Sequence, residues 1–202
     1  MGGLAGCVTP PAQSQRAADL TLPVPDNAAE RTYLGLKTQT GRFRLQDVQC
    51  EVLLVDCFDM YCHSCHTGAK HVNALFELVQ QRGLGDRIKF VGLGLNNSPL
   101  EAATFKKKFK VPFPVFPDRS RDVADQFGRA RLPSLLVVCN RTSTLRLIHQ
   151  HNGTLDDPEE FLDHIQEEMT QDCPDPYKDM PNPVQDCEEG VCDSEGPGQG
   201  AG

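Results

Sequence analysis

Short unbroken apolar runs alternate along the chain with apolar residues at helical spacing. Glu51–Cys57 contains Val52-Leu53-Leu54-Val55, too short for a helix and entered from a polar residue, the pattern of a strand buried on both faces. Arg87–Leu95 and Ser134–Cys139 read the same way, and a further strand over Thr144–His149 follows a hairpin turn at Asn140–Ser143. Between the first two strands, Val72, Leu75, Phe76 and Val79 recur at i, i+3, i+4, i+7, which predicts a helix over His63–Arg82 ending at Gly83. Ser98-Pro99-Leu100-Glu101 has the spacing of a capping box with Pro at the first helical position, and Phe105 and Phe109 mark that helix's buried face. Val111–Asp118 is a Pro-broken extended segment and Arg121–Phe127 a short helix. Asp157-Pro158-Glu159-Glu160 opens a last helix whose stripe is Phe161, Leu162, Ile165 and Met169. Upstream, Thr32–Leu36 and Arg42–Leu45 around Thr40-Gly41 predict a β-hairpin.

These elements divide the chain into a Pro-, Gln- and Ala-rich tether over residues 1–31, one α/β domain over 32–170, and an extension over 171–202. The formal net charge of −8 is concentrated in that extension, which has eight acidic residues against one Lys. With the remainder close to neutral, nucleic-acid binding is not expected. The extension is too poor in apolar side chains to fold by itself. No stretch approaches the roughly 18 apolar residues of a spanning helix. The Lys106-Lys107-Lys108 run is read as a solvated helix face.

Nine cysteines in 202 residues point to thiol chemistry and an oxidising compartment. Leu4-Ala5-Gly6-Cys7 looks like a bacterial lipobox, in which the cysteine sulfur receives a lipid, although neither a basic segment nor an apolar segment precedes it. Cys7 is therefore the candidate lipidation site and would give peripheral membrane contact. Cys57 and Cys139 fall on buried strands and are expected to be inert core thiols. Cys50, Cys173, Cys187 and Cys192 are candidates for structural disulfides whose connectivity stays open.

The chemistry concentrates at Asp56-Cys57-Phe58-Asp59-Met60-Tyr61-Cys62-His63-Ser64-Cys65, where the first long strand meets the first long helix. A helix N-terminus favours a thiolate, so Cys62 is the candidate attacking thiol, and Cys65, one turn deeper, is the thiol that resolves the mixed disulfide. His63 and Ser64, between the two, are expected to tune the potential.

The order of elements, the C-x-x-C at the first strand-to-helix junction and Leu132-Pro133 before a later strand resemble the thioredoxin superfamily. More narrowly they resemble the extracytoplasmic redoxin proteins of the TlpA and ResA type, over roughly Tyr33–Met169. The resemblance implies a thioredoxin-like fold, a central mixed sheet flanked by helices, with the N-terminal hairpin before it. It implies a buried acid at Asp56 that exchanges protons with the resolving thiol. It also implies a cis-proline at Pro133 that leaves the backbone of Leu132 for an extended substrate, and Tyr61 as the aromatic contact in place of the usual Trp. The implied activity is protein-disulfide reduction or exchange at the periplasmic or extracytoplasmic side of a bacterial membrane. Its partners would be exported cysteine-containing proteins, among them apocytochromes, and a membrane electron donor. No metal or organic cofactor is expected, the redox group being the Cys62–Cys65 pair.

Rival readings come from the same residues. Cys62-His63-Ser64-Cys65-His66 is a formal C-x-x-C-H, the haem c attachment pattern with His66 as axial ligand. A copper chaperone would use Cys62, Cys65 and a histidine such as His149 or His151, although surface hairpin histidines are the commoner explanation of those two. A peroxidase reading wants Thr where Asp59 stands, three residues before Cys62.

Overall fold

The computed structural model describes residues 20–173 other than 129 and 142–144. Cys7, Cys187, Cys192 and the tail beyond Cys173 lie outside the described residues, as does part of the expected 140–143 turn. The elements run β1 (Thr21–Pro23), α1 (Ala28–Leu34), β2 (Arg42–Arg44), β3 (Val52–Phe58), α2 (His63–Gln81), β4 (Ile88–Leu95), α3 (Pro99–Phe109), β5 (Val115–Asp118), β6 (Ser134–Cys139), β7 (Arg146–Asn152) and α4 (Pro158–Gln171). The main sheet has the order β5-β4-β3-β6-β7, parallel from β3 through β5 and antiparallel from β3 through β7. This is the expected thioredoxin-like α/β architecture.

Because side chains alternate along a strand, β3 feeds two cores. Val52, Leu54 and Phe58 face the layer formed by α2, α3 and α4, whereas Leu53, Val55 and Cys57 face the layer formed by the N-terminal elements. Asp56 shares the parity of Leu54 and Phe58 and therefore lies on the α2 face. Phe58 fits because β4 carries Gly92 and Gly94 beside it. A Cβ at Gly94 would stand 3.2 Å from Phe58 Cζ, and one at Gly92 2.9 Å from Val115 Cγ2. Burying such an aromatic contributes about 2–3 kcal/mol.

The helix caps follow the sequence. Ser98 Oγ accepts the Glu101 N–H while the Glu101 carboxylate accepts the Ser98 N–H, and Asp157 caps α4 through the N–H groups of Glu159 and Glu160. Gly83, one residue past the C-cap of α2, has φ 69° and ends that helix as predicted.

Several expectations require correction. The N-terminal two-stranded antiparallel sheet is present, but its first strand is Thr21–Pro23, and Thr32–Leu36 is not a strand. Residues 28–34 form α1, capped by the Asn27 side chain on the Ala29 N–H and closed by Gly35 at φ 69°. The packed body accordingly begins by Leu20, inside the expected tether, since Leu20, Leu22 and Leu34 are buried. The helix expected over Arg121–Phe127 shrinks to a 3-10 turn at Ala124–Phe127, because the buried Asp118 carboxylate takes the Val123 and Ala124 N–H groups. Strand β7 reaches Asn152 rather than His149, its end pairing with Ser134 at the start of β6.

Two cysteine assignments change as well. Cys139 is buried but not a free core thiol, since it forms a disulfide with Cys173. Cys173 is fully enclosed, so the packed body runs past the expected boundary at residue 170. Arg141 adds a bond to the Cys173 carbonyl at 2.7 Å. Cys50, expected to pair, is a free thiol, and so is buried Cys57.

Candidate active site

Cys62 is the N-cap residue of α2, with φ −81° and ψ 112°, and its sulfur occupies the place a Ser or Asp oxygen usually takes. The Cys65 N–H donates to Cys62 Sγ at 3.1 Å, and Ser64 Oγ lies 3.3 Å from the same sulfur. Cys62 and Cys65 form a disulfide with Cα atoms 5.2 Å apart. Cys62 is partly exposed while Cys65 is 2% exposed, so an incoming sulfur reaches only the first. Once the disulfide opens, charge on Cys62 would meet the unpaired N–H groups and positive end of α2.

The loop that presents the pair is held from below. Asp59 Oδ1 accepts the Tyr61 N–H at 2.9 Å and Asn97 Nδ2 at 3.3 Å, while Asn97 Oδ1 accepts the Met60 N–H at 2.9 Å. Asn97, 1% exposed, thus locks the β3–α2 turn against the β4–α3 turn. Sequence reasoning missed it, because an Asn ahead of a capping box reads as ordinary turn chemistry. Tyr61 is 77% exposed, and its hydroxyl donates to Glu101 Oε1 at 2.6 Å, which fixes the ring direction. That bond, with those from Ser98, holds the Glu101 carboxyl down at about 2.

Beneath Cys65 is a small cavity bordered by Asp56, Cys65, Pro133, His151 and Thr154. Asp56, Leu135 and His151 are successive register partners on β3, β6 and β7, so they form one row across the sheet on the α2 face. Burial pushes the Asp56 carboxyl up to about 7, a value suited to giving and taking protons near neutrality. The Leu132–Pro133 peptide is cis, and the Pro133 carbonyl accepts the Gly153 N–H at 2.8 Å. Pro133 borders the dithiol cavity, and Leu132 immediately precedes it.

The remaining candidates separate. His63 is exposed beside the pair, and its ring centroid is 6.4 Å from that of His66. His66 turns inward: Nε2 meets the Met60 carbonyl at 2.7 Å, and the ring stacks on Phe109 at 4.8 Å. A ring held this way, next to sulfurs joined to each other, does not fit a haem ligand set. His149 and His151, weighed as copper ligands with the cysteines, also part company. His151 borders the cavity and meets the Thr154 carbonyl at 3.2 Å, while His149 bonds Glu168 at 3.0 Å. Cys57, on the opposite sheet face from Asp56, is fully buried, and burial raises its thiol well above the usual range.

Comparison with known proteins agrees with this geometry. ResA of Halalkalibacterium halodurans, named a thiol-disulfide oxidoreductase, is 21% identical over 150 residues, covering 69% of this chain and 82% of the relative. A candidate thiol:disulfide interchange protein DsbE from Chlorobium tepidum superposes with a TM-score of 0.56 at 18% identity, covering 76% of this chain and 95% of its own. A secreted disulfide oxidoreductase of Mycobacterium tuberculosis, homologous to E. coli DsbE, gives 0.53 at 11% identity, with 77% and 99% covered. The family model described as AhpC/TSA matches residues 14–146, and the chain belongs to the AhpC/TSA family.

Proposed function

We propose that this protein is a thiol–disulfide oxidoreductase acting on cysteines of other proteins through Cys62 and Cys65. The observation that carries this reading is the asymmetry of the pair. Cys62 is accessible and sits at the helix cap, whereas Cys65 is enclosed above Asp56. In the reduced protein, the Cys62 thiolate attacks one sulfur of a substrate disulfide, and the other sulfur leaves as a thiolate and takes up a proton. Asp56, as carboxylate, receives the Cys65 proton. The Cys65 thiolate then attacks Cys62 Sγ, closing the intramolecular disulfide and releasing the second substrate thiol. Two electrons pass to the substrate, and a dithiol donor at the membrane returns the protein to its reduced form.

Tyr61 and the Leu132 backbone flank the pair as the substrate surface, and His63 and Ser64 set the potential. The nine cysteines and the lipobox-like Leu4-Ala5-Gly6-Cys7 favour an extracytoplasmic setting, in which exported proteins, apocytochromes among them, would be the substrates. Lipid attachment at Cys7 would hold the domain near its donor. The test is insulin reduction with dithiothreitol as the electron source. Cys62→Ser is expected to abolish turnover, and Cys65→Ser to accumulate a mixed disulfide at Cys62. Full activity of Cys62→Ser would refute the reading.

A further inference from the structure

Away from the dithiol, helix α4 and strand β7 bring together three side chains that the redox chemistry does not use. His164 and Glu168, four residues apart on α4, share a helix face, and His149 on β7 meets them. Glu168 Oε1 lies 3.0 Å from His149 Nδ1 and 3.1 Å from His164 Nε2. One ligand atom from each of the three residues lies within 4.8 Å of the other two. The other carboxylate oxygen, Glu168 Oε2, is buried and has no hydrogen-bond partner among the described residues. One oxygen thus serves two imidazoles while its twin is left bare, an arrangement a hydrogen-bonded surface pair does not require. The adjoining groove is bordered by Asp156, Asp157 and Glu160, with no Lys or Arg among the described residues that line it, so its field attracts cations.

We propose that His149, His164 and Glu168 form a binding site for a divalent transition metal of the Zn²⁺ class, with water completing the coordination. Two imidazoles and one carboxylate are the donor set that such borderline cations take, and harder Mg²⁺ or Ca²⁺ would prefer oxygen alone. With metal–ligand distances near 2.0–2.1 Å, ligand atoms of a tetrahedral site stand about 3.3 Å apart. The two N–O separations are already close to that. The closure still needed falls on His164, whose side chain is 49% exposed and so has room to move. On binding, Nδ1 of His149 and Nε2 of His164 present lone pairs, and each ring carries its proton on the other nitrogen. The ion would clamp the last helix to the edge strand, two residues along β7 from His151 in the wall of the dithiol cavity.

The test is calorimetric titration with ZnCl₂ of protein whose disulfides are intact and whose accessible thiols are alkylated, alongside thermal unfolding with and without the ion. One equivalent is expected to bind and to raise Tm. His164→Ala and Glu168→Gln should each weaken binding about 100-fold and remove the Tm increment. Absence of binding, or binding that survives in either variant, overturns the proposal. Metal-free His164→Ala should exchange disulfides at the parental rate, so failure of this site and failure of the dithiol reading are told apart.

Discussion

The Cys65 backbone N–H donates to the sulfur of Cys62 at 3.1 Å, so the more exposed sulfur of the pair is also the N-cap of the helix that carries it. Reactivity and helix start are thereby the same structural fact. A charge on this sulfur is stabilised by a backbone dipole that side-chain motion does not remove.

It follows that, in the reduced protein, iodoacetamide should alkylate Cys62 and leave the enclosed Cys65 unmodified. Ser64→Ala removes the second group beside the Cys62 sulfur and should slow that alkylation several-fold at neutral pH. Timed alkylation followed by mass spectrometry in the parent and the variant checks both.

Asp56 makes stability depend on pH in a defined direction. Its carboxyl is raised from 3.8 to about 7 by burial, so between these values the folded protein holds a proton that the unfolded chain has lost. The contribution is fully present below about pH 4 and is lost as pH rises through about 7, a change on the order of 4 kcal/mol. Asp56→Asn should flatten this dependence and be more stable than the parent at pH 8. It should also lose the rise in exchange rate through about pH 7. Urea unfolding at several pH values and the pH–rate profile measure the two effects.

Tyr61, exposed and oriented by Glu101, should serve protein substrates rather than the chemistry. Tyr61→Ala is expected to raise KM for a protein disulfide about tenfold while leaving reduction of a small aromatic disulfide unchanged. Steady-state kinetics with the two substrates separates the roles.

The Cys139–Cys173 disulfide closes a loop of sequence separation 34 and ties the chain after α4 to the central sheet. Cys173→Ser should cost about 2–4 kcal/mol under oxidising conditions. In excess reductant, parent and variant should converge. Denaturant midpoints in both conditions test this.

Much of the fold was legible in the chain because its signals are local. The unbroken run in β3, the i, i+3, i+4, i+7 spacing of α2 and the caps at Ser98 and Asp157 each depend on neighbours a few residues away. The same locality misled at the N-terminus. There Asn27 and Gly35 bound a helix of only seven residues, whose stability comes from burying Leu34 rather than from its own pattern.

The sequence by itself determined that Cys62 and Cys65 stand one helical turn apart at the mouth of a buried strand, because helix periodicity and strand alternation are properties of consecutive residues. It could not determine which residues from remote segments close around them. Asn97 under the Asp59–Met60 turn, the row Asp56–Leu135–His151, the Cys139–Cys173 disulfide and the His149–His164–Glu168 cluster all depend on strand order and register. Those are set by the summed packing of two cores across one sheet, a quantity that no single stretch of the chain carries.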